Sequence, residues 1–321
     1  MHEPPESEEL AGEDRVRSAA KTAVGFLVAA AIGSGVGYLI LFAFHSSPDE
    51  PGLADFRDSG EYALWVLLVI GQVGLSFALG LALYPTYRDL RAKGLPLRRP
   101  LELGLIFFAV LVALTFAGSE LGKNLGESFR NPWPDDKARL ILIAVIGAGV
   151  AAFATVCMGL VHEWLARVDA ETDDTTEVRA DTIDQFVRLR VIIHRLLVVQ
   201  ATILGSAILS LAALRGAIIA VDRLTFPQEL LIGYGLAGSA ALLSVYAPVY
   251  GSVLGVGRRL LDKATPFPST TGTDWPDALD RRTKLESVLR IDSSIATNIQ
   301  ATLAILTPLV GSVIGVIVGV E

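Results

Sequence analysis

The sequence predicts an all-α fold: a polytopic integral membrane helix bundle of about seven transmembrane helices, with the N-terminus cytosolic and the C-terminus outside. Three observations predict it. Of the 321 residues 52% are hydrophobic and only 19% charged, and the mean hydropathy is +0.51, a composition of membrane proteins rather than soluble domains. Apolar runs near 22–44, 62–84, 103–121, 140–164, 196–214, 230–254 and 301–320 are long enough to cross roughly 30 Å of hydrocarbon at about 1.5 Å per residue. The connecting segments alternate in charge: 20 of the 27 Lys and Arg fall on the side of the N-terminus and 7 on the other, which the positive-inside rule reads as N-in.

Residues 1–20 form an acidic tail with Glu3, Glu6, Glu8, Glu9, Glu13 and Asp14, too poor in apolar side chains to fold, and are expected to be disordered in the cytosol. Residues 21–321 are the membrane domain. The tail is too long and acidic for the basic start of a signal peptide, so the first run is expected to stay as an uncleaved anchor. That run carries Gly25, Ala29, Gly33 and Gly37 at every fourth position, a stripe that lets another helix come close.

Tyr62, Trp65, Tyr84 and Tyr87 mark the two interfaces of the second run, and Arg88, Arg91, Lys93, Arg98 and Arg99 crowd the short loop before the third. Trp133, in a Pro- and Asp-rich turn, suits an interfacial anchor for the fourth run, where Gly147, Ala151, Thr155 and Gly159 repeat the four-residue stripe. Thr182 to Gln185 has the form of a capping box opening a long helix into the fifth run. The second and sixth runs end in similar Tyr-Pro segments, Tyr84-Pro85-Thr-Tyr87 and Tyr246-Ala-Pro248-Val-Tyr250. A parallel repeat or independent interfacial ends would both produce them.

The cytosolic segment 257–298 is basic and amphipathic. Asp274 and Pro276 look like a helix start, and Asp280 with Lys284, Arg282 with Glu286, and Glu286 with Arg290 are spaced as i, i+4 pairs opposite Leu285, Val288 and Leu289. The pattern suits a helix at the membrane surface, with Arg281, Arg282, Lys284 and Arg290 as its lipid-facing cations, or equally a solvated extension of the last span. In that span Thr307, Gly311, Gly315 and Gly319 form a third stripe, which packs within the chain or serves as a self-association face of a homo-oligomer.

For chemistry the sequence offers little. It has no P-loop, GxGxxG after a strand, HExxH, GxSxG or CxxC, so no cofactor is implied, and the chain is read as no enzyme. Cys157 is the only cysteine, which rules out an intrachain disulfide and a Cys-based zinc site. The net charge of -7 and the scattered cations give no nucleic-acid surface, which leaves the lipid bilayer as the expected partner. His162, Glu163 and His194, with Asp181 or Asp184, are weak candidates for a metal or proton site, against a bland reading as interfacial side chains. The span interiors hold no charge at mid-depth; Gln72, Gln200 and Cys157 are the polar exceptions.

The leading expectation is a non-catalytic scaffold, regulatory or effector component that acts through helix packing and its cytosolic loops. The alternative is an oligomeric channel or passive transporter for ions or small solutes, and an intramembrane enzyme comes third. Arg outnumbers Lys 21 to 6, which associates the chain with a GC-rich bacterial genome and so with an inner (plasma) membrane.

Overall fold

The computed structural model describes residues 6–42, 60–124, 137–174, 178–222, 228–266, 275–289, 291 and 299–318. Every regular element among them is an α-helix: α1 (Glu6–Phe42), α2 (Gly60–Ala92), α3 (Arg98–Asn124), α4 (Lys137–Asp174), α5 (Ala180–Asp222), α6 (Gln228–Ala264), α7 (Trp275–Leu289) and α8 (Ile299–Val318). The first six each carry an apolar stretch long enough to cross a membrane, and α8 adds a shorter one, Ala301–Ile317. Hydrocarbon leaves the backbone no water to bond, so a spanning chain satisfies its N–H and C=O groups within each helix. The result is a multi-pass helical bundle.

Packing radiates from α5, which touches α2, α4, α6 and α8. α1 lies outside α2, α3 lies against α4, and α8 fills the groove between α5 and α6. Bare glycines make the close approaches. A Cβ on Gly33 would stand 2.9 Å from the Cα of Gly74, one on Gly159 would stand 2.9 Å from the Cα of Pro100, and one on Gly235 would stand 2.9 Å from the carbonyl oxygen of Pro308. Backbone meets backbone at these points, and dispersion replaces lipid contact. The outward faces of α1, α3 and α8, with Leu27, Ile32, Leu105, Ile106, Leu303 and Ile317, are exposed apolar surface suited to lipid.

The C-terminal ends of α2, α4 and α6 gather with the N-terminal ends of α3, α5 and α8 at one end of the bundle, called here the basic end for its Lys and Arg content. Between α2 and α3 the chain turns at Gly94, whose φ of 67° is left-handed backbone that glycine adopts without strain. Gly94 N–H donates to Arg91 O at 3.0 Å, closing the helix end.

α1 begins at Glu6, within the acidic stretch; Glu, Ala, Leu and Arg are strong helix formers, and growth from an existing span avoids the cost of nucleation. Elsewhere the structure differs from expectation. α5 starts at Ala180, and the N–H of Thr182 donates to Arg179 O at 3.0 Å. Thr182 is therefore inside the first turn rather than capping it. The two Tyr-Pro segments occupy unlike places: Tyr84 is exposed, whereas Tyr246 and Tyr250 are buried and stacked 5.4 Å apart. Trp133, Asp274, Arg290 and Gly319 lie outside the described residues.

Candidate functional site

α4, α5 and α6 have 38, 43 and 37 residues, nearly twice the roughly 20 needed to span a bilayer. Their charged basic ends therefore extend beyond the hydrocarbon, and the main core of the bundle continues into them. Leu165 and Val168 of α4, Phe186 and Leu189 of α5, and Val256 and Leu260 of α6 are buried together, and Leu289 and Ile291 close over them. Gly257 makes the slot for Phe186: a Cβ there would lie 2.8 Å from the ring Cζ and 3.2 Å from Ile291 Cγ1. We call this helical assembly the knob.

Cations fasten the knob by reaching the carbonyls at helix C-termini, where the macrodipole is negative and the last C=O groups lack helical partners. Arg167 Nη1 donates to Lys93 O, just past α2, at 3.0 Å. Lys263 Nζ donates to Thr172 O and, at 3.1 Å, to Asp173 O at the end of α4. Arg282 Nη1 donates to Thr265 O after α6 at 2.8 Å, and Arg190 Nη1 donates to Leu289 O at the end of α7. At the opposite end of the bundle Arg139 Nη1 does the same for Leu41 O of α1 at 3.0 Å. A bidentate pair joins α6 to α4, with Arg259 Nε and Nη2 donating to the two oxygens of Asp169 at 2.6 and 2.5 Å.

The predicted surface cations divide accordingly. Arg282 turns inward and pairs with Asp262 at 2.5 Å instead of with Glu286. Lys284 pairs with Asp280 at 2.7 Å as the spacing predicts, and Arg281 points out, donating to Asp277 O of its own helix at 3.3 Å. The apolar side of α7 docks on the knob through Leu285 and Leu289, while Trp275, Leu279 and Val288 remain exposed.

His162 is exposed on α4, Glu163 beside it is half-buried, and His194 is half-buried on α5. Among the described residues no three His, Cys, Asp or Glu side chains stand where they could hold one metal ion. Asp184 is instead paired with Arg188 at 2.9 Å.

The stripes are placed as follows. Gly33 and Gly37 are buried in the α1–α2 seam against Phe77, Val73 and Ile70, Ala29 is half-buried, and Gly25 has open space around its Cα. In the last helix the Thr307 methyl seats on the bare Cα of Gly205, Gly311 faces Ile208, and Gly315 faces Ala212 and Leu231. Of the C-terminal stripe, Gly311 and Gly315 therefore have neighbours within the chain, while Thr307 is exposed.

On α4 the stripe meets the two intramembrane glutamines. The Gln72 amide of α2 faces the bare Cα of Gly147, and buried Gln200 of α5 donates through Nε2 to Thr155 Oγ1 at 2.7 Å and to Ala151 O at 3.3 Å. Ser76 returns its hydroxyl to Gln72 O at 2.8 Å. Three helices thus meet along one buried junction on α4, Gln72 at Gly147 and Gln200 one to two turns on, at Ala151 and Thr155. No known protein family, curated protein or solved structure matches the chain. Its reading rests on these residues. Sequence reasoning missed the knob and the cations on helix ends, although the charged extensions of the fourth, fifth and sixth runs signalled helices longer than a bilayer.

Proposed function

We propose that the chain is a non-catalytic scaffold, regulatory or effector component of a bacterial inner (plasma) membrane, with the knob in the cytosol. The N-terminus would then be inside and the C-terminus outside, as the distribution of 20 against 7 Lys and Arg favours. The knob carries the reading. A helical platform that continues the bundle's core past the spans and fastens its helix ends is more structure than membrane anchoring needs, and the outer side of α7, with Arg281, Lys284 and Val288, is its exposed surface.

The experiment is site-specific photo-crosslinking in intact cells, with the probe at Arg281 and Val288 and, as lipid-facing controls, at Leu105 and Ile106. A discrete protein adduct from the α7 positions alone supports the reading. Lipid adducts at all four positions would sink it.

A second reading, passive passage of ions or small solutes, is favoured by the buried line of Gln72, Ser76, Thr155 and Gln200. Unitary currents across a planar bilayer containing the purified protein, abolished by Gln200→Leu, would establish it over the first. Self-association through α8 would need a face other than Gly311 and Gly315, which α5 and α6 already cover.

A further inference from the structure

We infer that the junction of α2, α4 and α5 binds water inside the membrane, with a water molecule donating a hydrogen bond to Gln200 Oε1. Gln200 is wholly buried, five residues and so about 7.5 Å along α5 from exposed Arg195. Its Nε2 protons are directed to Thr155 Oγ1 and Ala151 O. The Thr155 hydroxyl proton is committed as well, to Ala151 O at 3.1 Å. What remains is acceptor capacity: a free lone pair on Thr155 Oγ1, and Oε1 itself, which has no hydrogen-bond partner among the described residues.

Turning the amide round would exchange an orphaned acceptor for an orphaned donor. Water serves either, and an apolar occupant serves neither. Buried polar atoms left without protein partners are where internal waters are held.

A second amide lies on the same stripe. A Cβ on Gly147 would sit 3.7 Å from Gln72 Nε2 and 3.6 Å from Ile203 Cγ2, so the bare glycine lets the Gln72 amide lie against α4 one turn before Ala151. The ligand class is a small hydrogen-bond donor, and the source is solvent water.

Two native reporters stand next to the junction. Met158, one turn along α4 from Thr155, is the only methionine besides Met1, and Cys157 is the only cysteine; both are fully buried. Microsecond X-ray pulses on the full chain in lipid nanodiscs generate hydroxyl radicals from bound water, and mass spectrometry reads the oxidised residues. Dose-dependent oxidation of Met158 or Cys157 is expected, falling about five-fold or more in Gln200→Leu while exposed Trp275 labels unchanged. Absence of oxidation in the wild type, or oxidation that persists in the variant, overturns the proposal. Thermal unfolding gives an independent reading. Were Oε1 dry, Gln200→Leu would remove a desolvated carbonyl and raise Tm, whereas a hydrated Oε1 predicts no rise. Gln200→Met, unbranched and of similar length, takes the place of Leu if that variant does not fold.

Discussion

Replacing Gly235 by Ala tests the seam between α6 and α8 with a single methyl group. The new Cβ would lie 2.7 Å from Ser312 Cβ and 2.9 Å from Pro308 O, where ordinary contact begins at 3.4 Å. The carbonyl belongs to backbone and cannot rotate away, so α8 must retreat by roughly half an ångström or tilt, at an overpacking cost of about 1–3 kcal/mol. Alanine also gains about 1 kcal/mol of helix propensity over glycine, and that gain must be cancelled. Gly233→Ala cancels it: the same helix, half a turn away, with nothing within 4 Å of the added Cβ. The two variants should therefore differ by about 2 kcal/mol, or roughly 5 °C in Tm, by thermal unfolding in one detergent. Adding Ser312→Gly to Gly235→Ala should recover part of the loss, because only the Pro308 carbonyl clash then remains. Equal or higher stability of Gly235→Ala than of Gly233→Ala would refute the reasoning.

Three further outcomes are expected. Gly315→Leu collides with Ala212 and Leu231, so the detergent-solubilised mass should stay unchanged while Tm falls by several degrees; a drop in mass would reveal an oligomer face instead. Arg282→Ala releases α7 from Asp262 and Thr265 O, and hydrogen exchange in Trp275–Leu289 should rise by about ten-fold while the spans stay protected; unchanged exchange would show that Leu285, Leu289 and the Arg190 bond hold the helix without Arg282. Asp169→Asn breaks a pair whose side chains are 25% and 51% exposed, so the loss should not exceed about 1 kcal/mol and should shrink at high salt; a larger, salt-independent loss would mean that the pair is effectively desolvated.

The spans were legible because hydrocarbon imposes one rule, about 20 apolar residues per crossing, and the chain obeys it at six helices and nearly so at α8. What each stripe touches was not legible. Four residues advance about 400° around a helix, so a stripe repeated every fourth residue drifts by about 40° per step. Three steps carry it from one neighbour to the next, which is why Gly147 meets Gln72 and Ile203 while Gly159 on the same stripe meets Pro100. Gln200 was visible as a polar residue in an apolar run, but its partners lie about 45 residues back on α4, a separation no local pattern encodes. The cations looked like a topological signal alone. Arg167, Lys263 and Arg282 also bond helix-end carbonyls, because α2, α4 and α6 all end on the side where those cations accumulate.

The position of α8 bears on how the chain is made. Synthesis delivers α5 and α6 before the helix that fills the groove between them, so Gly205, Gly235 and Gly238 must first face lipid. Until then the bundle is an unfinished intermediate, its two central helices free to accept any narrow helix nearby. A chain that stopped after α7 would lack α8 and leave the groove between α5 and α6 open.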